Sequence, residues 1–172
     1  MQIQSPIDDK ALHTLQQLRA SGQIRAISLD LDDTLWPIWP TIAKAEATLL
    51  QWLGTHAPTT AEHLGDTQHV RALRHEIVTL RPDLKGDLSG LRRESIRLAL
   101  SRAGDDPALA EPAFDEFFAA RQRVDLFDDA LPALEFFSQR WPVVALSNGN
   151  ADVDVVAIGQ HFKASLSASG SG

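Results

Sequence analysis

Apolar residues recur along this chain in two different patterns, and the switch between them divides it. Ile24, Ile27 and Leu29 make a short apolar run without helical period, and Val143 to Leu146 make a second. Runs of that length and kind read as buried strands. Between them, residues 41 to 123 carry apolar positions at helical spacing only. Ile42, Ala45, Leu49 and Trp52 predict a helix from Thr41 to Leu53, closed by Gly54. Val70, Leu73, Ile77 and Leu80 predict another over 67–80, stopped by Pro82. A third covers Leu88 to Ala103, with Leu91, Ser95, Leu98 and Arg102 down one side and Ile96, Ala99 and Leu100 beside it. Asp106 is placed to cap a short turn at Pro107, and Pro112 to open a helix bearing Phe114, Phe117 and Phe118. Such stripes pack a helical bundle.

The flanks read differently. Residues 5–20 predict a helix capped by Ser5, with Pro6 in its first turn, Leu12, Leu15 and Leu18 as a narrow stripe, and Gly22 as its stop. From Val124 the chain is expected to return to a core: Asp128 or Asp129 caps a helix reaching Gln139, with Leu131, Leu134 and Phe137 facing inward. After the strand at 143–146, residues 151–160 read as a crossover helix and Phe162 to Leu166 as a third strand. Strands alternating with helices predict an α/β fold. Its core comprises 1–37 and 124–172, interrupted by an all-helical insertion over 38–123.

Both strands run into polar chemistry. The first ends in Asp30, Asp32 and Asp33, followed by Thr34. Carboxylates crowded at the end of a buried strand are costly unless a positive charge neutralises them. In an open α/β sheet, that end is also where ligands bind. Mg²⁺ suits an oxygen-rich cluster, and a phosphate ester suits bound Mg²⁺. The second strand ends in Ser147, and Asn148-Gly149-Asn150 makes a tight loop after it.

D-L-D-D-T at 30–34 and V-V-A-L-S-N-G-N at 143–150 resemble the first two motifs of the haloacid dehalogenase-like (HAD) hydrolases. The helical block between them resembles the cap of the subgroup that includes FMN and sugar-phosphate phosphatases. The resemblance implies a three-layer, Rossmann-like core with Asp30 as nucleophile and Asp32 as general acid and base. It also implies Mg²⁺ held by the Asp30 carboxylate and the Asp32 backbone carbonyl. Thr34 would orient Asp32 or its loop, while Ser147 and the Asn148 backbone N–H would hold phosphoryl oxygens. The implied reaction is Mg²⁺-dependent hydrolysis of a small phosphorylated metabolite, a phosphate monoester, through an aspartyl phosphate. A 2-haloacid dehalogenase is the enzymatic alternative, since the same nucleophile can attack carbon. Strand alternation alone would point Asp30 and Asp32 apart, so the chain is expected to leave strand geometry near Leu31.

The resemblance further implies a third-motif Lys and a fourth motif of paired acids, which these 172 residues do not supply. Lys163 is the nearest substitute for the Lys. A core incomplete at its carboxyl end is therefore expected, with the first strand as an exposed edge open to homodimerisation or a strand-completing partner. A catalytically incomplete fragment or pseudoenzyme acting through protein contacts is the non-enzymatic alternative.

Composition narrows the rest. A net charge of −7 argues against a nucleic-acid partner, and 44% hydrophobic residues suit a folded domain. Without cysteine there is no thiol nucleophile or disulfide framework. No run approaches the roughly 18 apolar residues of a membrane span, and the first residues lack signal-peptide character, so a cytoplasmic location is expected. His56, His63, His69 and His75 form no H-E-x-x-H pair and read as ordinary polar positions. Arg92 and Arg93 could meet a phosphate or carboxylate, but a solvated helix face is the expectation. Trp36 and Trp39 are expected to fill the junction between core and insertion rather than line a substrate entrance.

Overall fold

Among the described residues, three short strands hold the core together. In the computed structural model, which describes residues 9–22 and 24–168, β1 (Ile27–Leu29), β2 (Val143–Ser147) and β3 (Ala164–Ser167) pair in parallel, in the order β1-β2-β3. Leu29 stands opposite Ala145, and Ala145 opposite Ser165. Parallel pairing places the carboxyl ends of all three strands at one edge of the sheet, where Asp30 and Ser147 lie. A helix, α1 (Asp9–Ala20), precedes β1, and Gly22 ends that segment with φ +67°. The carboxyl-terminal helix α7 (Ala130–Ser138) packs its Ala130 and Leu134 beside Leu31, Leu35, Trp36, Ala145 and Ile158 to form the core's apolar cluster.

The helical insertion comprises α2 (Ile38–His56), α3 (Pro58–Leu64), α4 (Thr67–Leu80), α5 (Leu88–Ala103) and α6 (Ala110–Arg121). It has an apolar cluster of its own, with Leu49 and Leu53 from α2, Ile96 and Leu100 from α5, and Phe114 and Phe117 from α6. The helices α4 and α5 occupy the expected spans. Asp87 caps α5 by accepting the Gly90 N–H at 2.8 Å, and Gly104, at φ +79°, closes it in the left-handed conformation. Asp106 accepts the Ala108 N–H as expected.

Other boundaries differ for identifiable reasons. The helix α2 begins at Ile38 rather than Thr41, because Pro40 falls in the first turn, where its missing N–H is not needed. The helix α3 has no conspicuous apolar stripe; Pro58 starts it, and Asp105 accepts from both the N–H and hydroxyl of buried Thr60, at 2.9 and 2.6 Å. The first strand covers only Ile27–Leu29 and is half-buried, so Ile24 lies outside it. Asp129 occupies the cap position of α7 without making a side-chain capping bond.

Residues 151–160 are not a crossover helix. Asp152 turns its carboxylate onto the Asp154 N–H at 2.9 Å, Ala157 takes φ +65°, and the segment closes in a 3-10 turn at Gly159–His161. An aspartate that bonds its own backbone two residues on offers the chain a turn in place of a helix. The expected caps Ser5 and Pro6 lie outside the described residues, as do the side chains of Leu12 and Leu15.

Candidate active site

The chain leaves strand geometry after Leu29. Leu31 is fully buried, and its carbonyl accepts from Leu35 N–H at 2.8 Å and Thr34 N–H at 3.2 Å, curling the backbone into a turn. Asp33 sits at the tip with φ +58°, its N–H donating to the Trp36 carbonyl at 2.8 Å. Its carboxylate then accepts the Ile38 N–H at 2.9 Å and so ties the loop to the start of α2. Thr34 is exposed at the same turn. The departure from strand geometry expected at D-L-D-D-T is therefore present, and Asp33 serves the loop.

This turn gives the two outer aspartates different surroundings. Asp30 is exposed, with one carboxylate oxygen accepting the Leu31 N–H at 2.8 Å. Asp32 points into the protein and is 15% exposed. Trp36, fully buried, donates its indole N–H to Asp32 Oδ1 at 2.7 Å. Arg121 Nη2 reaches both oxygens of the same carboxylate, at 2.7 and 2.8 Å. Trp36 thus packs within the core's apolar cluster, while Trp39 is 76% exposed and fills nothing.

The second motif closes on the first. Ser147 accepts the Gly149 N–H on its Oγ at 3.0 Å, folding the S-N-G loop tightly. Gly149 is buried, and a Cβ there would collide with the Asp32 carboxylate while lying 3.3 Å from Ser147 Oγ and 3.5 Å from Arg121 Nη2. Glycine is required here by close approach. The geometry gathers Asp32, Ser147, Gly149 and Arg121 around one point, with Asp30 at the adjoining strand end and Asn148 exposed on the loop. Lys163 is not among them. Its N–H donates to Val143 O at 2.7 Å, at the amino end of the strands, opposite the edge that carries Ser147.

Arg121 and Gln122 escaped the sequence reading. An arginine ending a helix reads as an ordinary favourable charge at the negative dipole end. Its signal was positional: Ala113, Phe117 and Arg121 recur at one-turn spacing on the buried face of α6. Arg121 is 1% exposed, and among the described residues its Nη1 is a buried donor without a hydrogen-bond partner. Buried Gln122 grips the second motif's loop, donating to Asn150 O at 3.2 Å and accepting the Asp152 N–H at 2.9 Å. Asn150 in turn donates to Ser89 Oγ at the start of α5, at 3.1 Å.

Among the described residues no three His, Asp or Glu side chains converge as cation ligands. His56 is satisfied locally, donating from Nδ1 to Trp52 O at 2.9 Å and stacking on the Trp52 ring. The exposed Asp30 carboxylate still fits Mg²⁺, which is commonly held by one or two carboxylates with water completing its shell. The Asp32 carboxylate is already engaged by Arg121 and Trp36.

No family model matches the chain. Over 149 residues it is 29% identical to the 5-amino-6-(5-phospho-D-ribitylamino)uracil phosphatase of Escherichia coli strain K12, a match covering 84% of this chain and 62% of that protein. Among solved structures, the 2-haloacid dehalogenase from Pseudomonas syringae pv. Tomato DC3000 superposes with a TM-score of 0.76 at 34% identity, over 85% of this chain and 64% of the other. A HAD-hydrolase from Bacillus subtilis, bound to magnesium, shares the fold at a TM-score of 0.52 and 18% identity, over 83% of this chain and 64% of its own. The chain therefore spans a little under two thirds of the length of these relatives. A parallel sheet flanked by helices and broken by a helical insertion, with an aspartate-rich turn beside a Ser-Asn-Gly loop, gives this chain the fold of the HAD-superfamily hydrolases.

Proposed function

We propose that this chain is a HAD-type hydrolase of a small anionic substrate, with Asp30 as the nucleophile, and that its leading reaction is dehalogenation of a 2-haloacid. The sequence resemblance points to phosphate-monoester hydrolysis; the contacts of Asp32 and the likeness to a 2-haloacid dehalogenase support the dehalogenase alternative better. One observation carries the preference: Asp32 is held by Arg121 and Trp36 as an acceptor and is not poised as a free proton donor. A phosphate ester's alkoxide leaving group needs a proton, whereas a halide departs as a stable anion. The likeness to a 2-haloacid dehalogenase at 34% identity supports the same choice.

In this reaction an Asp30 oxygen attacks the substrate's C2, the carbon–halogen bond breaks, and halide leaves with the bonding electrons. The resulting ester is cleaved by water at the Asp30 carboxyl carbon. That step releases the 2-hydroxy acid and a proton, and regenerates the carboxylate. Asp30's exposure at the strand end leaves it open to such a substrate. Gly149, lacking a side chain, keeps the Asp32 and Ser147 groups close together beside it.

Phosphate-monoester hydrolysis is the second reading, favoured by the presence of Asp32 itself and by the likeness to a phosphatase. Here Asp30 would attack phosphorus, Asp32 would supply and later recover a proton after leaving Arg121, and Ser147 with Asn148 N–H would hold phosphoryl oxygens. Mg²⁺, held by Asp30, the Asp32 backbone carbonyl and water, would neutralise charge on the phosphoryl group. No turnover of either kind by a folded chain would turn the proposal toward a role through protein contacts.

The test is halide release from 2-chloropropionate and phosphate release from p-nitrophenyl phosphate, measured on the same preparation with and without EDTA. Halide release lost in Asp30→Asn supports dehalogenation. Phosphate release alone, lost in Asp30→Asn and with EDTA, replaces it with the second reading. Turnover that survives Asp30→Asn removes both.

A further inference from the structure

A cavity of about 290 Å³ lies between the helical insertion and the second motif's loop. Its walls include Leu88, Leu91 and Phe117, and Asn150 lines it from the loop that follows Ser147. Two arginines, Arg74 from α4 and Arg92 from α5, also line it. Both pair with the same oxygen of Glu46, Arg92 at 2.7 Å. Among the described residues, two guanidinium groups thus share one carboxylate and leave a positive charge uncompensated at the cavity wall. Arg92 is only 16% exposed and lies over the Phe117 ring, 4.2 Å from its centroid. Burial pushes its pKa down, and neighbouring Arg74 adds to that effect against the opposing pull of Glu46. The expected solvated face is therefore absent. Arg93 is likewise engaged, by Glu111 and the Phe114 ring.

We propose that this cavity binds the non-reacting part of the substrate and selects an aromatic or other apolar body bearing a carboxylate. The inference rests on the hydrolase reading for its place in the reaction, but not for the binding itself. Each arginine presents a planar fork that matches a carboxylate and loses little order in meeting it. The leucines and Phe117 bury the apolar body, and Asn150 makes the cavity continuous with the loop that carries Ser147. A cavity of this size, mostly apolar with a few convergent polar groups, is of the kind that takes small organic ligands.

The probe is 2-naphthoate, set against neutral 2-naphthamide, titrated into the full chain by fluorescence and calorimetry. Native protein is expected to bind the naphthoate at least about 10-fold more tightly, as befits charge-assisted hydrogen bonds. Arg74→Met should erase most of that preference while leaving naphthamide binding within about 2-fold. Arg74 is partly exposed, so this variant folds even if Arg92→Met, stripped of its packing on Phe117, does not. Glu46→Gln, which removes the shared counter-charge, should tighten naphthoate binding and leave naphthamide unchanged. Equal binding of the two probes, binding of neither, or a preference that survives Arg74→Met would overturn the proposal. Running the titration on Asp30→Asn separates the two readings. Intact binding with Asp30-independent turnover sinks only the reaction, and Asp30-dependent turnover without a naphthoate preference sinks only the cavity.

Discussion

Arg121 shows what a single side chain does here. It ends α6 on the buried face and places its charge on Asp32, which Trp36 holds from the other side. Removing one member of such a pair leaves the other charge stranded in a poorly hydrated place. Arg121→Met is therefore expected to cost about 3 kcal/mol, the low end for a broken buried pair, because Asp32 retains some exposure. Urea denaturation measures this. Arg121→Met combined with Asp32→Asn should recover much of the loss, since the amide carries no charge to strand; strictly additive losses would show that the two side chains do not interact. The sequence made Asp30, Asp32 and Ser147 conspicuous because acids and a serine at the ends of apolar runs break a pattern. Arg121 and Gln122 break none, and only the third dimension shows what they touch.

Among the elements, the Ser-Asn-Gly loop depends most on one position. Gly149 lets the loop lie against the Asp32 carboxylate, where any Cβ would collide. Gly149→Ala should leave the helices intact by circular dichroism and cost about 1–3 kcal/mol through overpacking. Its effect on turnover should be larger, about 100-fold, because displacing a group at the site by an ångström is enough for that. Full activity in Gly149→Ala would mean that Asp32's position does not matter. The legibility of elements followed the strength of their punctuation. Asp87 and Gly104 bracket α5, and its span was readable to the residue. The short helix α3 depends on Asp105, distant in sequence, and apart from Pro58 nothing local marks it. Residues 151–160 carry helix-compatible valines and alanines, but Asp152 bonds its own backbone and wins the segment for a turn. Where a long-range or side-chain bond decides the backbone, periodicity misleads.

At the scale of the molecule, two apolar clusters of the described residues lie side by side without merging. Leu49, Leu100 and Phe114 belong to the insertion's cluster, while Leu35, Leu134 and Ala145 belong to the core's. Polar contacts join them: Arg121 on Asp32, Gln122 on the loop after Ser147, Asn150 on Ser89, and Lys44 on Asp125. Polar bonds couple two bodies in position more than in stability, because each exchanges for water at little net cost when the bodies part. The insertion and the core should therefore open as separate units. Leu134→Ala, which vacates a fully buried site in the core, is expected to cost about 2–5 kcal/mol there. Hydrogen exchange should register the loss in the amides of β2 while those of α5 and α6 keep their protection; Leu100→Ala should do the reverse. Equal loss in both regions from either substitution would show one cooperative unit. Separate opening matters to the chemistry because the proposed cavity has walls from both bodies, with Arg74 and Arg92 on one and Asn150 on the other. A substrate whose non-reacting part carries a second carboxylate to the arginines while its reacting carbon meets Asp30 would bind both bodies at once, and would stabilise each against opening by the free energy of that binding.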